Sequence, residues 1–302
     1  MDILSSSQAQ VTTLFSNDVL ARAERLRINS LRRFTDRRRG EHLSGKGGQS
    51  TEFADYRTYV EGDDVRYVDW NIFSRLHQPF MKIFHHEEEM HVVLLIDGSS
   101  SMLFENKLDQ ARRIAAAMGT MGLFNVERVS VYTATTEEGP IAMLPPCRGR
   151  GNLPKLFAFI ESIEGGGDVP LEDAVDSMLR RHRGRGVVVV LSDFLTYGDL
   201  TRPLTRLFSA GLEIFAVQIL GPTEIDPEVT GDLRFIDCET ENMLDITSSG
   251  DLLSLYQEYR QAYQRNLETL CRQRTGRTLS ISAADPIDWV LFDLFRRNGW
   301  VV

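Results

Sequence analysis

Leu94-Leu95-Ile96-Asp97-Gly98-Ser99-Ser100-Ser101-Met102 is the stretch on which the reading of this chain turns. The apolar run from Val92 to Ile96 stops abruptly at an acid, a glycine and three serines. Such a run, containing Val and Ile, reads as a strand buried on both faces. The turn behind it sets Asp97, Ser99 and Ser101 at alternate positions. One carboxylate and two hydroxyls from a short loop can converge on a single hard cation. Magnesium takes oxygen ligands, needs few carboxylates and keeps several waters. In an open parallel sheet this loop also lies at the carboxyl ends of the strands, where ligands bind. A plain polar turn, with a serine capping a helix near Lys107, accounts for the same residues. The rest of the chain has to separate the two.

At 302 residues the chain can hold one large domain or two modest ones. Its 42% hydrophobic and 25% charged residues are ordinary for a globular protein. A net charge of −9 argues against wholesale nucleic-acid binding. Cys147, Cys238 and Cys271 are too scattered for a disulfide framework or a zinc site, so a reducing cytoplasm is expected. The start lacks the basic-then-apolar layout of a signal peptide. No apolar run approaches the roughly 20 residues that span a bilayer, so no membrane insertion is expected.

Residues 17–39 carry a helical pattern and eight arginines from Arg22 to Arg39, with Leu20, Leu26, Ile28, Leu31 and Phe34 as the packing side. In an acidic protein the partners expected for these arginines are carboxylates rather than nucleic acid. The glycine-rich patch Gly40 to Gly48 has the G-x-x-x-x-G-K spacing but continues with Gly47 where a phosphate loop needs Ser or Thr. It also follows an arginine-rich helix rather than a strand, which excludes a nucleotide site. Residues 52–89 are dense in acids, arginines and rings, the mark of a bonded network locking an extended segment in place. There Trp70 is expected as a buried anchor. His86 and His91 are five apart rather than four and run into a strand, which excludes a helical zinc-hydrolase motif.

From Met90 onward strands and helices alternate. Helices are expected over 107–123, 153–163, 170–179, 200–207, 252–274 and 286–297. Strands are expected over 126–134, 187–191, 212–220 and 278–283, with shorter extended pieces near 233–236 and 243–246. The pattern predicts an α/β fold: a doubly wound, mostly parallel sheet with helices on both faces. A second buried run, Val187 to Leu191, also ends in an acid, Asp193. Asp97 and Asp193 therefore share one sheet edge. A third polar loop, Gly165-Gly166-Gly167-Asp168, lies between them in sequence. Asp97, Ser99, Ser101, Asp168 and Asp193 are the candidate metal residues.

With these residues in place, the sequence resembles the von Willebrand factor A-type fold and its D-x-S-x-S metal-ion-dependent adhesion site. More closely it resembles the bacterial domain-of-unknown-function family 58. The match is carried by Glu52-Phe53, Arg57, Tyr59, Gly62-Asp63-Asp64, Arg66, Asp69-Trp70 and Arg75, followed by the Asp97 loop. The resemblance implies a von Willebrand factor A-like domain over 89–302, with an N-terminal helix and family-specific segment over 1–88 docked on it. It implies Mg2+ or Mn2+ as cofactor and a MoxR-type AAA+ ATPase, or its client, as partner. The adhesion site usually takes a threonine from its second loop, where this chain has Gly167 and then Asp168. Metal occupancy at rest therefore stays open.

Haloacid dehalogenase phosphatases also begin with a strand ending in Asp, but their second acid stands where this chain has Ser99. The expected function is a non-enzymatic, cation-dependent protein-binding adaptor. A metal-assisted hydrolase or phosphoesterase is the alternative, and a nucleic-acid binder the third.

Overall fold

The computed structural model describes residues 10–31, 35–36, 52–87, 90–134, 141–167, 169–195, 198–227, 232–236, 243–247 and 250–302. Two compact units form: residues 1–32 with 90–302, and residues 33–89. No described helix is long and apolar enough to cross a membrane.

Helix α1 (Asn17–Ala23) begins at Ser16, whose side chain accepts the Val19 N–H, and ends well short of the helix expected to residue 39. Beyond it the chain becomes extended. Ile28 bridges antiparallel to Val301, and the N–H groups of Arg27 and Asn29 donate to Val302 and Trp300 at 2.9 and 2.8 Å. Bonds to the C-terminal residues satisfy the backbone that a longer helix would have satisfied internally. Phe15, Val19, Leu20, Ala23 and Ile28 are buried in the core of the larger unit. The N-terminal helix thus belongs with residues 90–302, and the expected division at residue 88 becomes two crossings of the chain. Phe34, Arg37 to Arg39 and Gly40 to Gly48 lie outside the described residues.

In the smaller unit β1 (Thr35–Asp36), β2 (Glu52–Thr58) and β3 (Phe80–Glu87) form an antiparallel sheet in the order β1-β3-β2. His85 and His86 fall in β3, not on a helix. Between β2 and β3 lies α2 (Trp70–Leu76), capped by Asp69, which accepts the N–H groups of Asn71 and Ile72. Asp69 is buried and also accepts from Tyr56 Oη and Lys82 Nζ, both at 3.1 Å. Arg57 donates twice to Asp63, at 2.6 and 2.7 Å, across the turn at Gly62, whose φ of +104° favours glycine. Asp63 also accepts the Val60 N–H, and Asp64 holds Arg66 at 2.6 Å. The Tyr59 N–H donates to Pro79, and Arg75 sits in the last turn of α2. The side chain of Glu52 lies outside the described residues. The charged network is present, but Trp70 departs from its expected role: it is 60% exposed, edge-on to Phe73 at 5.8 Å. The buried anchor is its neighbour Asp69, because four donors converge on that carboxylate.

The larger unit contains β4 (His91–Asp97), β5 (Arg128–Ala134), β6 (Ala142–Cys147), β7 (Gly186–Ser192), β8 (Leu212–Leu220), a separate hairpin of β9 (Asp232–Ile236) and β10 (Met243–Thr247), and β11 (Arg277–Ser282). The six-stranded sheet runs β11-β8-β7-β4-β5-β6. All pairings are parallel except β5 with β6. Strand β6, absent from the expected elements, contains Pro145 and Pro146. At a sheet edge the missing N–H groups cost no ladder bond.

Residue alternation along β4 feeds two cores. Val92, Leu94 and Ile96 pack with α1 and with α3 (Lys107–Phe124) and α4 (Leu153–Glu161). Val93 and Leu95 pack with α5 (Leu171–Arg181) and α6 (Thr201–Ser209). Short α7 (Pro222–Ile225) follows β8, and α8 (Gly250–Arg272) adds Leu267 and Cys271 to the second core. The C-terminal segment expected as one helix contains a π-helical turn, Val290–Leu294, which brings Phe295 to stack on Trp300 at 5.1 Å.

At the opposite edge from Asp97, Glu213 is fully buried and accepts from Ser30 Oγ (2.6 Å), the Leu31 N–H (3.0 Å) and Arg277 (3.1 Å). Glu213→Ala leaves a buried guanidinium short of its carboxylate. It should destabilise the larger unit by about 3–5 kcal/mol in urea unfolding. A loss below about 1 kcal/mol, the range of a surface pair, would show that the pair is not structural. In the smaller unit, the Arg57 hydrogen bonds hold the Asp63 carboxyl down to about 2. A lowered folded pKa means that the contribution is present above the unfolded value and is lost as pH falls from about 4 through 2. NMR titration of the Asp63 carboxyl should return it toward 3.8 in Arg57→Ala.

Candidate functional site

The strand order reverses at β4. The chain runs from β4 to β5 and β6 on one side, then crosses to β7 on the other. Open α/β sheets bind ligands outside such a switch point. Asp97 ends β4, and Asp193 directly follows β7, paired with β4 so that Ile96 lies beside Leu191. Asp97 Oδ1 accepts the Ser99 N–H at 2.9 Å, turning the loop back on the carboxylate. Asp97 Oδ2 accepts a short bond from Ser192 Oγ, itself fixed by the Phe194 N–H at 2.9 Å. Ser99 Oγ and Ser101 Oγ lie 3.1 Å apart, and both residues are buried. Asp97, Ser99 and Ser101 are therefore brought together as their spacing predicts.

A serine cap on a following helix does not explain them. Ser99 makes no side-chain cap bond, and α3 starts only after Glu105 and Asn106, both left-handed at φ 48° and 62°. Two consecutive non-glycine residues in that region are held by tertiary contacts. Glu105 supplies one: its carboxylate accepts the N–H and hydroxyl of Thr223, at 3.0 and 2.8 Å.

The second loop reaches the first through backbone. Gly167 accepts the Ser100 N–H at 2.9 Å and donates its own N–H to Ser100 Oγ at 3.1 Å, while the Gly166 N–H donates to Gly98 at 2.9 Å. Gly166 and Gly167 have φ of +124° and +105°, where a threonine is strained. The loop thus docks through glycine backbone where the adhesion-site resemblance implies a threonine hydroxyl. Asp168 lies outside the described residues.

Asp193 is engaged in a way the sequence did not foretell. Its Oδ1 accepts the Leu195 N–H at 3.0 Å, and its Oδ2 accepts Lys107 Nζ at 2.7 Å. Lys107 is fully buried and donates a second bond to Glu224 Oε1, also at 2.7 Å. Burial works against the ammonium, but Asp193 and Glu224 outweigh it and hold its pKa above the ordinary lysine value. Glu224 also accepts the Gly221 N–H at 2.6 Å. Tyr263 donates to the Phe194 carbonyl; burial, with Asp193 adding, pushes its hydroxyl up to about 12. Lys107 and Glu224 are the members that sequence reasoning missed. Lysine is almost never fully buried unless paired, so Lys107 reads as a surface residue of α3. Glu224 could have been found: β8 ends at the same edge, and its loop carries that acid.

Burial pushes the Asp97 carboxyl up, with Ser192 and Ser99 opposing and the nearby Asp193 charge adding to the rise. A carboxylate in that position gains from a cation that takes its charge. One carboxylate and two adjacent hydroxyls form a hard-oxygen set that fits a divalent ion. No three His, Cys, Asp or Glu side chains cluster as a metal site among the described residues, and the hydroxyls are two of the three donors here.

A family model described as "Protein of unknown function DUF58" matches residues 55–269. The chain belongs to the DUF58 family. That span begins in β2, covers Arg57 to Arg75 and the Asp97 edge, and ends in α8. The uncharacterized proteins Rv1480 of Mycobacterium tuberculosis and Mb1516 of Mycobacterium bovis are each 29% identical over 206 residues, covering 67% of this chain. The chain spans 65% of the length of these curated relatives. Among solved structures, similarity extends to the conserved hypothetical protein BatB of Bacteroides thetaiotaomicron, at 13% identity and a TM-score of 0.40, over 64% of this chain and 90% of that one. An aerotolerance-related membrane protein of Bacteroides fragilis matches at 16% identity and a TM-score of 0.41, over 67% and 94%.

Because Gly167 holds its loop through a left-handed backbone, Gly167→Thr should cost about 1–3 kcal/mol in urea unfolding rather than complete a cation site. A gain in stability with added magnesium in that variant, beyond the wild-type gain, would show that a hydroxyl is tolerated and useful there.

Proposed function

We propose that this DUF58 chain is a cytoplasmic, non-enzymatic protein-binding adaptor of the von Willebrand factor A type, working with a MoxR-type AAA+ ATPase. The observation that carries the reading is the gathering of the Asp97 carboxylate with the buried Ser99 and Ser101 hydroxyls at the switch point. These three residues would hold Mg2+ or Mn2+, and the ion would supply an open coordination position for a partner's carboxylate. The surrounding residues set up binding rather than turnover. Asp97 is fixed by the Ser99 N–H and Ser192, and Asp193 by the Leu195 N–H and Lys107. Neither carboxylate is left as a free nucleophile or base. Rigid strands behind the loop keep the donors in place without any movement of the core. The ATPase partner is taken from the family, and the site contributes the chemistry of an acidic contact.

Titration with Mg2+ or Mn2+ against a chelator should raise the melting temperature. At about a hundred times Kd the gain is about 2.7 kcal/mol, or about 2–4 °C per kcal/mol for a unit of this size. Asp97→Ala should abolish the shift and reduce retention of a MoxR-type ATPase from lysate while folding persists. Equal retention by both forms would place the interface elsewhere. Phosphoester hydrolysis by the purified chain, lost in Asp97→Ala, would overturn the adaptor reading.

A further inference from the structure

Lys107 is the one fully buried cation at the described sheet edge, and its position is built rather than incidental. It is the first residue of α3, delivered by two left-handed residues, Glu105 and Asn106. Its ammonium bonds carboxylates from two other elements, Asp193 after β7 and Glu224 in α7, each at 2.7 Å. Phe104 covers it, with the ring centroid 6.0 Å from Nζ. α7 is in turn fixed on the far side by Tyr256 Oη to the Glu224 carbonyl at 2.6 Å and by Gln257 Nε2 to the Ile225 carbonyl at 3.0 Å. The edge therefore carries two separate electrostatic arrangements. One is Asp97 with Ser99 and Ser101, a carboxylate without an ammonium bonded to it among the described contacts. The other is Asp193 with Glu224, two carboxylates already bridged by a cation.

We infer that Lys107 is a resident cation that withholds Asp193 and Glu224 from metal, so that a divalent ion at this edge is restricted to Asp97, Ser99 and Ser101. The inference rests on the cation reading of the Asp97 loop for the wild-type chain, but it also makes a claim about Asp193 that stands apart from it. With Asp193 bound to an ammonium, the metal meets one carboxylate where it could have met two or three. Affinity for hard cations rises with the number of charged ligands. Lys107 thus keeps the ion loosely held by the chain alone, which leaves a partner's carboxylate to complete its coordination.

Mn2+ binding to the full chain, measured by electron paramagnetic resonance of the free ion, tests this. In the wild-type background Asp193→Asn should change the Mn2+ Kd by less than about threefold, because an acid bonded to lysine is not a ligand, whereas Asp97→Ala should weaken binding at least about tenfold. Lys107→Met should tighten Mn2+ binding by about tenfold or more, and Asp193→Asn added to it should remove that gain. Lys107→Met leaves the buried Asp193 and the half-buried Glu224 unpaired and is monitored by circular dichroism. Lys107→Met with Glu224→Gln removes one of those charges, and the Asp193→Asn comparison needs no change at Lys107. Wild-type chain that fails to bind Mn2+ while Lys107→Met binds it through Asp193 would support Lys107 as the resident cation and overturn the metal reading of the Asp97 loop. A tenfold loss on Asp193→Asn in the wild-type background, or a folded Lys107→Met whose Mn2+ affinity is unchanged, would overturn the inference.

Discussion

Strand β4 has no free side. It is hydrogen-bonded to β5 on one flank and β7 on the other, and Val92 to Ile96 are at most 1% exposed. A strand buried on both faces and paired on both edges leaves only its ends for polar chemistry. Val187 to Leu191 in β7 are held in the same way. Because the two run parallel and in register, their polar ends are forced to the same place. The proximity of Asp97 and Asp193 follows from the pairing, before any interaction between those side chains is considered.

Bringing acids together in a buried edge has an electrostatic cost that the structure meets in two different ways. Asp193 and Glu224 share the Lys107 ammonium, and the two carboxylates are further tied down by the Leu195 and Gly221 N–H groups. Buried ion pairs of this kind are poor sources of net stability but strict about geometry. Here the geometry they enforce joins α3, β7 and α7, the elements that frame the Asp97 loop. Among the described residues Asp97 receives hydrogen bonds from Ser192 and the Ser99 N–H and no ammonium. At this edge, among the described residues, one carboxylate pair has an internal counter-ion and the Asp97 carboxylate has none.

The smaller unit shows the same logic among its described residues. Its described side chains rely on Arg57 with Asp63, Arg66 with Asp64, and the donors around Asp69. Trp70 stays largely exposed while Asp69 is buried, an inversion of the usual preference that arises because Asp69 caps α2 and gathers Tyr56 and Lys82. Family motifs that look like packing residues can therefore be hydrogen-bonding centres with an aromatic neighbour on the surface.

The sequence by itself determined the class of fold and which of its polar residues gather at one sheet edge. Unbroken apolar runs that end in Asp, alternating with helical periodicities, admit few arrangements other than a doubly wound sheet with those acids on one edge. The D-x-S-x-S spacing was enough to bring Asp97, Ser99 and Ser101 together, because three alternate positions in one tight loop are a local property. What the sequence could not determine depended on partners distant in the chain. The helix expected to residue 39 stopped at Ala23 because the extended backbone that follows pairs with Val301 and its neighbours. Strand β6 formed despite two prolines because it lies at an edge. The state of Asp193 was decided by Lys107, 86 positions away, whose ammonium is shared with Glu224, 117 positions from that lysine. Periodicity reports which face of an element is apolar, whereas the pairing of a buried charge is set only when three elements close around it.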